Sequence, residues 1–183
     1  PNPPAAEQLP EIHPLEIQSS FENPGQPPRV AIIIDDLGYH KVLDSQLLKL
    51  ELPLTYSFLP DAPFTAELLP EARRLEKTIF LHLPLEPKDS RWSEGKEVLL
   101  LADSQEVQLE KFEAHLAKVP DAVGVNNHMG SRYTEDAAAM RTLLERIDSY
   151  SLLFIDSFTT AESKGLGIAQ EMVAAHRRDR GGC

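Results

Sequence analysis

Short unbroken apolar runs alternate along this chain with segments of helical period, and that alternation restricts the available folds more than any other feature. "VAIII" (30–34), "LTYSFL" (54–59), "TIFLHLPLEP" (78–87), "AVGVNNH" (122–128) and "LLFID" (152–156) have strand length, and "EVLLL" (97–101) reads as a further short strand. Between them, residues 41–50, 65–77, 104–119 and 134–147 carry apolar side chains at helical spacing, and another helix is expected around 166–175. In the first of these helices Val42, Leu43, Leu47 and Leu50 form the stripe expected to face the core. A strand without polar alternation is buried on both faces, and covering it takes helices that cross over the sheet between parallel neighbours. The pattern therefore predicts an α/β fold on parallel strands. It does not choose between an open sheet and a closed barrel.

Residues 1–28 stand apart. Pro1, Pro3, Pro4, Pro10, Pro14, Pro24, Pro27 and Pro28 give them the look of an extended linker or stalk, leaving 29–183 as one packed domain. A formal net charge of −11 over 183 residues repels phosphate backbones and anionic lipid, so nucleic acid is not an expected partner. The basic cluster His176, Arg177, Arg178 and Arg180 reads as a solvated end. Cys183 is the single cysteine, which excludes an internal disulfide and a cysteine metal cluster. No apolar run reaches the roughly 20 residues of a membrane span. No basic-then-apolar leader opens the chain, so a targeting segment, where one exists, is expected upstream of Pro1.

In both parallel architectures ligands sit beyond the carboxyl ends of the strands. Here "III" ends in Asp35-Asp36, "TIFL" in His82, "VGVN" in Asn127-His128 and "LLFI" in Asp156. Singly, such residues serve more often as caps or loop anchors. Together they bring Asp and His to one rim, which matches a metal site of mixed oxygen and nitrogen ligands. Adjacent carboxylates repel unless a cation or hydrogen bonds offset them. With a divalent metal at the rim, one Asp ligates and its neighbour is free to act as a base on water. Receiver domains also open with paired acids, but they need an aspartate after the third strand, where this chain has His82. Asn126, Asn127 and Ser131, near Gly130, read equally as a turn or as substrate contacts, and Arg132 and Tyr133 as groups for a sugar or an anion. Trp92 reads as a sugar-stacking ring or a loop anchor, and His115, inside an amphipathic helix, as exposed.

The blocks "IIIDDLG", "LHLPLEP", "GVNNHMGSRYTED" and "FIDSFTTAESKG" resemble, in this order, those of the divergent polysaccharide deacetylase family, over about residues 29–180. The resemblance implies a deformed (β/α) barrel with a divalent metal, usually zinc, at the carboxyl ends of its strands. It further implies removal of acetyl groups from a cell-wall or envelope glycan. By the family pattern Asp35 is the base and Asp36 a metal ligand. Where the wider superfamily has two close histidines, "LHLPLEP" keeps only His82, and His128 is inferred from its place on the rim as the third ligand. Asp156 is expected to orient a histidine or contact the substrate.

The expected function is thus a metal-dependent hydrolase in which water attacks the acetamide carbonyl with Asp35 as base. Catalysis falls to Asp35 and Asp156, metal binding to Asp36, His82 and His128, and substrate contacts to Asn127, Ser131 and Arg132. The alternative is a non-catalytic glycan-binding or scaffolding domain on the same fold. The substrate class and the stalk imply a periplasmic or envelope location. The chain stops at "RGGC" where the resemblance implies another strand, so a barrel lacking its last strand or strands is expected.

Overall fold

The computed structural model describes residues 29–92 and 97–180, without the side chains of Trp92 and of 174–180. The expected 1–28 linker, the Trp92 ring and the basic cluster at 176–180 lie outside that description. The chain divides into Pro1–Val30 and Ala31–Cys183, and the second unit carries the fold. Its elements are β1 (Ile32–Leu37), α1 (Lys41–Leu48), β2 (Leu54–Phe58), α2 (Thr65–Arg74), β3 (Thr78–Leu85), α3 (Gln105–Lys118), β4 (Gly124–Met129), α4 (Ala137–Ser149), β5 (Leu153–Ile155) and α5 (Gly165–Arg180).

All four pairings are parallel and the sheet order is β1-β2-β3-β4-β5. Strand order decides what periodicity left open. When spatial order repeats chain order, right-handed crossovers place every helix on the same face, as in a (β/α) barrel and unlike a doubly wound sheet. Among the described residues the sheet does not close, and β1 and β5 are its edges. The fold is a deformed (β/α) barrel short of strands. This position explains why β1 and β5 are only partly covered, with Ile32, Leu153 and Ile155 exposed, although their apolar runs predict burial on both faces.

On the helical face Tyr56, Phe58, Leu81, Leu83, Leu85 and Val125 are buried with Phe112, Met140 and Leu143. Each such side chain contributes about 1.5–3 kcal/mol by leaving water. Tyr56 also donates its hydroxyl to the Leu47 carbonyl at 2.7 Å, which ties β2 to α1. On the opposite face the Phe80 ring lies against Gly124, where an added Cβ would sit 2.4 Å from Cζ. That ring forms an apolar floor below the polar strand ends.

Two other expectations change. "EVLLL" forms no strand; within it Leu99 alone makes a bridge, to Leu85. In α1, Val42 and Leu43 are exposed, as is Leu50 beyond its end, while Asp44 and Leu48 are buried. Asp44 turns inward because its Oδ2 accepts from the backbone N–H groups of Gly38 (2.8 Å) and His40 (3.2 Å), which fixes the loop after β1. Gly38 is required there, since its φ of 116° is costly for other residues and a Cβ would lie 2.1 Å from Thr65 Oγ1.

Candidate metal centre

Register explains how two adjacent carboxylates reach the same side of a strand. Ile34 pairs with Tyr56 and Leu37 with Phe58, so β1 spends one residue more than β2 between these two rungs. Such a bulge breaks the alternation of faces. Ile34 and Leu37 keep the helical face, and Asp35 and Asp36 both turn to the inner one. Asp36 adopts φ 61°, a left-handed conformation that Asp tolerates better than most residues and that costs of order 1–3 kcal/mol.

On the neighbouring strands ordinary period-two alternation suffices. His82 pairs with Asn126, and Pro84 with His128, so His82, Asn126 and His128 share the inner face of β3 and β4. His82 Nε2 lies 3.3 Å and His128 Nδ1 3.0 Å from Asp36 Oδ1. One donor atom from each of these three residues falls within 4.8 Å of the others. The two imidazole rings meet edge to face with centroids 5.0 Å apart.

Asn126, 2% exposed, organises this cluster. Its Nδ2 donates to Asp35 Oδ1 at 2.9 Å, and a carboxylate only accepts, so the amide orientation is set. Its Oδ1 then accepts from the Ser57 hydroxyl and from His82 Nδ1, the latter at 3.2 Å. A proton on Nδ1 leaves Nε2 of the neutral ring as a bare lone pair facing the Asp36 oxygen. Two acceptors face each other across 3.3 Å, and they repel unless a positive charge lies between them. The residues therefore fit a divalent cation, with a carboxylate oxygen and two ring nitrogens as donors.

When the imidazoles carry both protons, Asp36 is held below the ordinary carboxylate range. The hydrogen bond with His82 does this first, partial burial opposes it, and the charges of His82 and His128 add to it. His128 is held below the ordinary imidazole value, first by burial and then by the His82 ring, which outweigh the attraction of Asp36 and Asp35. A ring that resists protonation keeps its lone pair for a metal.

The other sequence-derived residues take different places. Asn127, expected to touch substrate, is 1% exposed, on the helical face of β4. Its Nδ2 donates to the Met129 carbonyl at 2.7 Å and its Oδ1 accepts from the Ser157 N–H at 2.9 Å, so it holds the strand end and is not presented to a ligand. Asp156 accepts from Phe158 N at 2.8 Å and from Ser163 Oγ at 2.6 Å, and among the described residues it bonds no histidine. The expected orienting bond is therefore not made. Ser131 Oγ accepts from Lys88 N at 3.0 Å. The half-exposed Arg132 pairs through Nη1 with Glu86 Oε1 at 3.0 Å, and both residues tie the loop after β4 to the loop after β3. Asn126, read from the sequence equally as a turn residue or a substrate contact, is instead the residue that bonds both Asp35 and His82. Its signal was period-two spacing from His128.

A cleft of about 390 Å³ opens beside His128, walled by Tyr39 after β1, Asp61 after β2 and Pro84 and Met129 at the strand ends. His128 of the Asp36–His82–His128 cluster thus borders a space able to hold a small ring.

A profile of the family described as divergent polysaccharide deacetylase matches residues 32–180. The chain belongs to that family. Relatives include the uncharacterized protein YibQ of Escherichia coli K12, 30% identical over 142 residues that are 78% of this chain and 44% of that protein. An uncharacterized protein of Haemophilus influenzae is 31% identical over 143 residues, 78% of this chain and 51% of its own. The chain thus spans about half the length of these two relatives. The crystal structure of the uncharacterized protein ATU2773 from Agrobacterium tumefaciens C58 superposes with a TM-score of 0.72 at 28% identity, covering 78% of this chain and 59% of that one.

Proposed function

We propose that this deacetylase-family protein is a metal-dependent hydrolase that removes acetyl groups from an envelope polysaccharide. The observation that carries the reading is the bare His82 nitrogen facing the Asp36 carboxylate, with His128 on the same oxygen, at the mouth of the parallel strands. Asp36 Oδ1, His82 Nε2 and His128 Nδ1 would hold the cation, zinc by preference for two imidazoles. When bound, it supplies Lewis-acid polarisation of the acetyl carbonyl and a lowered pKa for water.

The chain's own residues do the rest. Asp35 has Oδ1 engaged by the Asn126 amide, and its Oδ2 makes no hydrogen bond among the described residues. Oδ2 takes the proton from the attacking water, and the fixed Oδ1 keeps the carboxylate aimed. Leu59, Pro84 and Met129 give the cleft beside His128 apolar walls. Acetate and the deacetylated sugar are the products. A glycan of this kind implies a periplasmic or envelope location, which is part of the same proposal.

The test pairs metal analysis of the purified protein with acetate release from chitotetraose and from peptidoglycan fragments. About one zinc per chain and zinc-dependent acetate release support the reading. Zinc binding with glycan binding but no acetate from either substrate supports instead a glycan-binding domain on the same fold.

A further inference from the structure

Two residues of the cleft belong to no element of the metal centre. Tyr39, from the loop after β1, is 54% exposed. The Asp61 side chain, from the loop after β2, is 44% exposed, and both line the space that His128 borders. Both loops lie at the carboxyl ends of their strands, the rim from which ligands are bound in this architecture.

Asp61 is held in a defined setting. Lys118, near the end of α3, pairs with its Oδ1. Its Oδ2 lies 3.3 Å from Nδ1 of His115, which is fully buried although its helix pattern predicts exposure. His115 Nε2 is 2.6 Å from the Glu97 carbonyl, and a carbonyl only accepts, so Nε2 carries the hydrogen. In the neutral ring Nδ1 is then a bare lone pair, and it has no hydrogen-bond partner among the described residues. Burial keeps His115 below the ordinary imidazole value, against the pull of Glu97 and Asp61, while Lys118 also lowers it. Oδ2 of Asp61 consequently faces a nitrogen that offers it no proton, and the Lys118 ammonium on Oδ1 offsets the repulsion between these two acceptors. Its capacity to accept is left for a donor entering from the cleft.

We propose that Tyr39 and Asp61 form a subsite for a hexosamine ring of the acetylated glycan, next to the metal triad. The proposal rests on the polysaccharide reading above and extends it to the residues that grip the chain. A pyranose has an apolar face of C–H groups and a rim of hydroxyl donors. A phenol ring gives the first a platform, and a carboxylate with a free acceptor oxygen takes the second. Ala62 and Val98, small apolar residues of the same lining, leave space for the ring.

Isothermal titration of the zinc-loaded protein with chitotetraose tests this, alongside Tyr39→Ala and Asp61→Asn, with acetate release and zinc affinity measured on the same samples. Thermal unfolding checks that both variants fold. Each substitution is expected to weaken chitotetraose binding about tenfold, the loss typical of a hydrogen bond to a charged group or an aromatic contact, with zinc affinity unchanged. Wild-type protein that does not bind chitotetraose, or folded variants that bind it as tightly as wild type, overturns the subsite. Binding that is lost in the variants, with no acetate released by wild type, keeps the subsite and removes the hydrolase reading.

Discussion

Replacing Asn126 by alanine tests the organisation of the site at its centre. The substitution removes the acceptor of the Ser57 hydroxyl and of His82 Nδ1–H, and the donor to Asp35 Oδ1. Ser57 and His82 are buried, and each orphaned polar group there costs about 1–3 kcal/mol. Asp35 is partly exposed and can turn to water, so it adds little. Asn126→Ala should therefore lose about 2–6 kcal/mol, and it stays folded in a domain from the middle of the usual range of roughly 5–15 kcal/mol. With no partner on Nδ1, the His82 ring loses both its tautomer and its aim, and zinc affinity should fall about 10–100-fold, the usual effect of removing a bond that orients a metal-binding histidine. Urea unfolding gives the first quantity, and competition with a chromophoric chelator the second. A folded Asn126→Ala protein that binds zinc as tightly as wild type would refute the claim that this amide sets the His82 nitrogen.

Three further outcomes follow from the same geometry. Asp35→Asn should abolish acetate release while zinc stays bound; loss of zinc in that variant, measured by metal analysis, would assign the ligand role to Asp35. His128→Ala should remove zinc binding at neutral pH yet leave the far-ultraviolet circular dichroism unchanged, because the ring lies at the strand end beside an open cleft. In the metal-free protein, stability should decline on acidification. Both Asp36 and His128 have folded-state pKa values below their ordinary ones, so their contribution is present above 6.5 and is lost as pH falls, first through the His128 range and then through that of Asp36. Melting temperatures of wild type and His128→Ala across that range check it, and the upper part of the decline should shrink in the variant to the share of His115, which burial also holds below the ordinary imidazole value.

The parallel α/β character was legible in the chain because continuous apolar runs admit few other arrangements. Five strands and five helices fall where periodicity put them, within a few residues at the ends. The convergence of Asp36, His82 and His128 could be read because each ends a strand, and strand ends meet at a rim. What escaped the sequence depends on neighbours that no local pattern encodes. The exposure of Ile32, Leu153 and Ile155 follows from edge positions in the sheet. His115 is buried because the Glu97 carbonyl and Asp61 close over its helix. Asn127 was assigned to the site and Asn126 is the one beside the histidines, since adjacent residues of a strand face opposite ways and only the register tells which one faces them.

The extra residue in β1 sets how closely the two acids can work. On a regular strand, carboxylates facing the same way stand two positions, about 7 Å, apart along the chain. That spacing would suit two separate tasks on two sites. Compressing it to consecutive residues lets one acid grip a cation while the other reaches a molecule held against that cation, within a single van der Waals neighbourhood. Deleting one residue between Ile34 and Leu37 would straighten the pleat and leave one carboxylate to serve both duties.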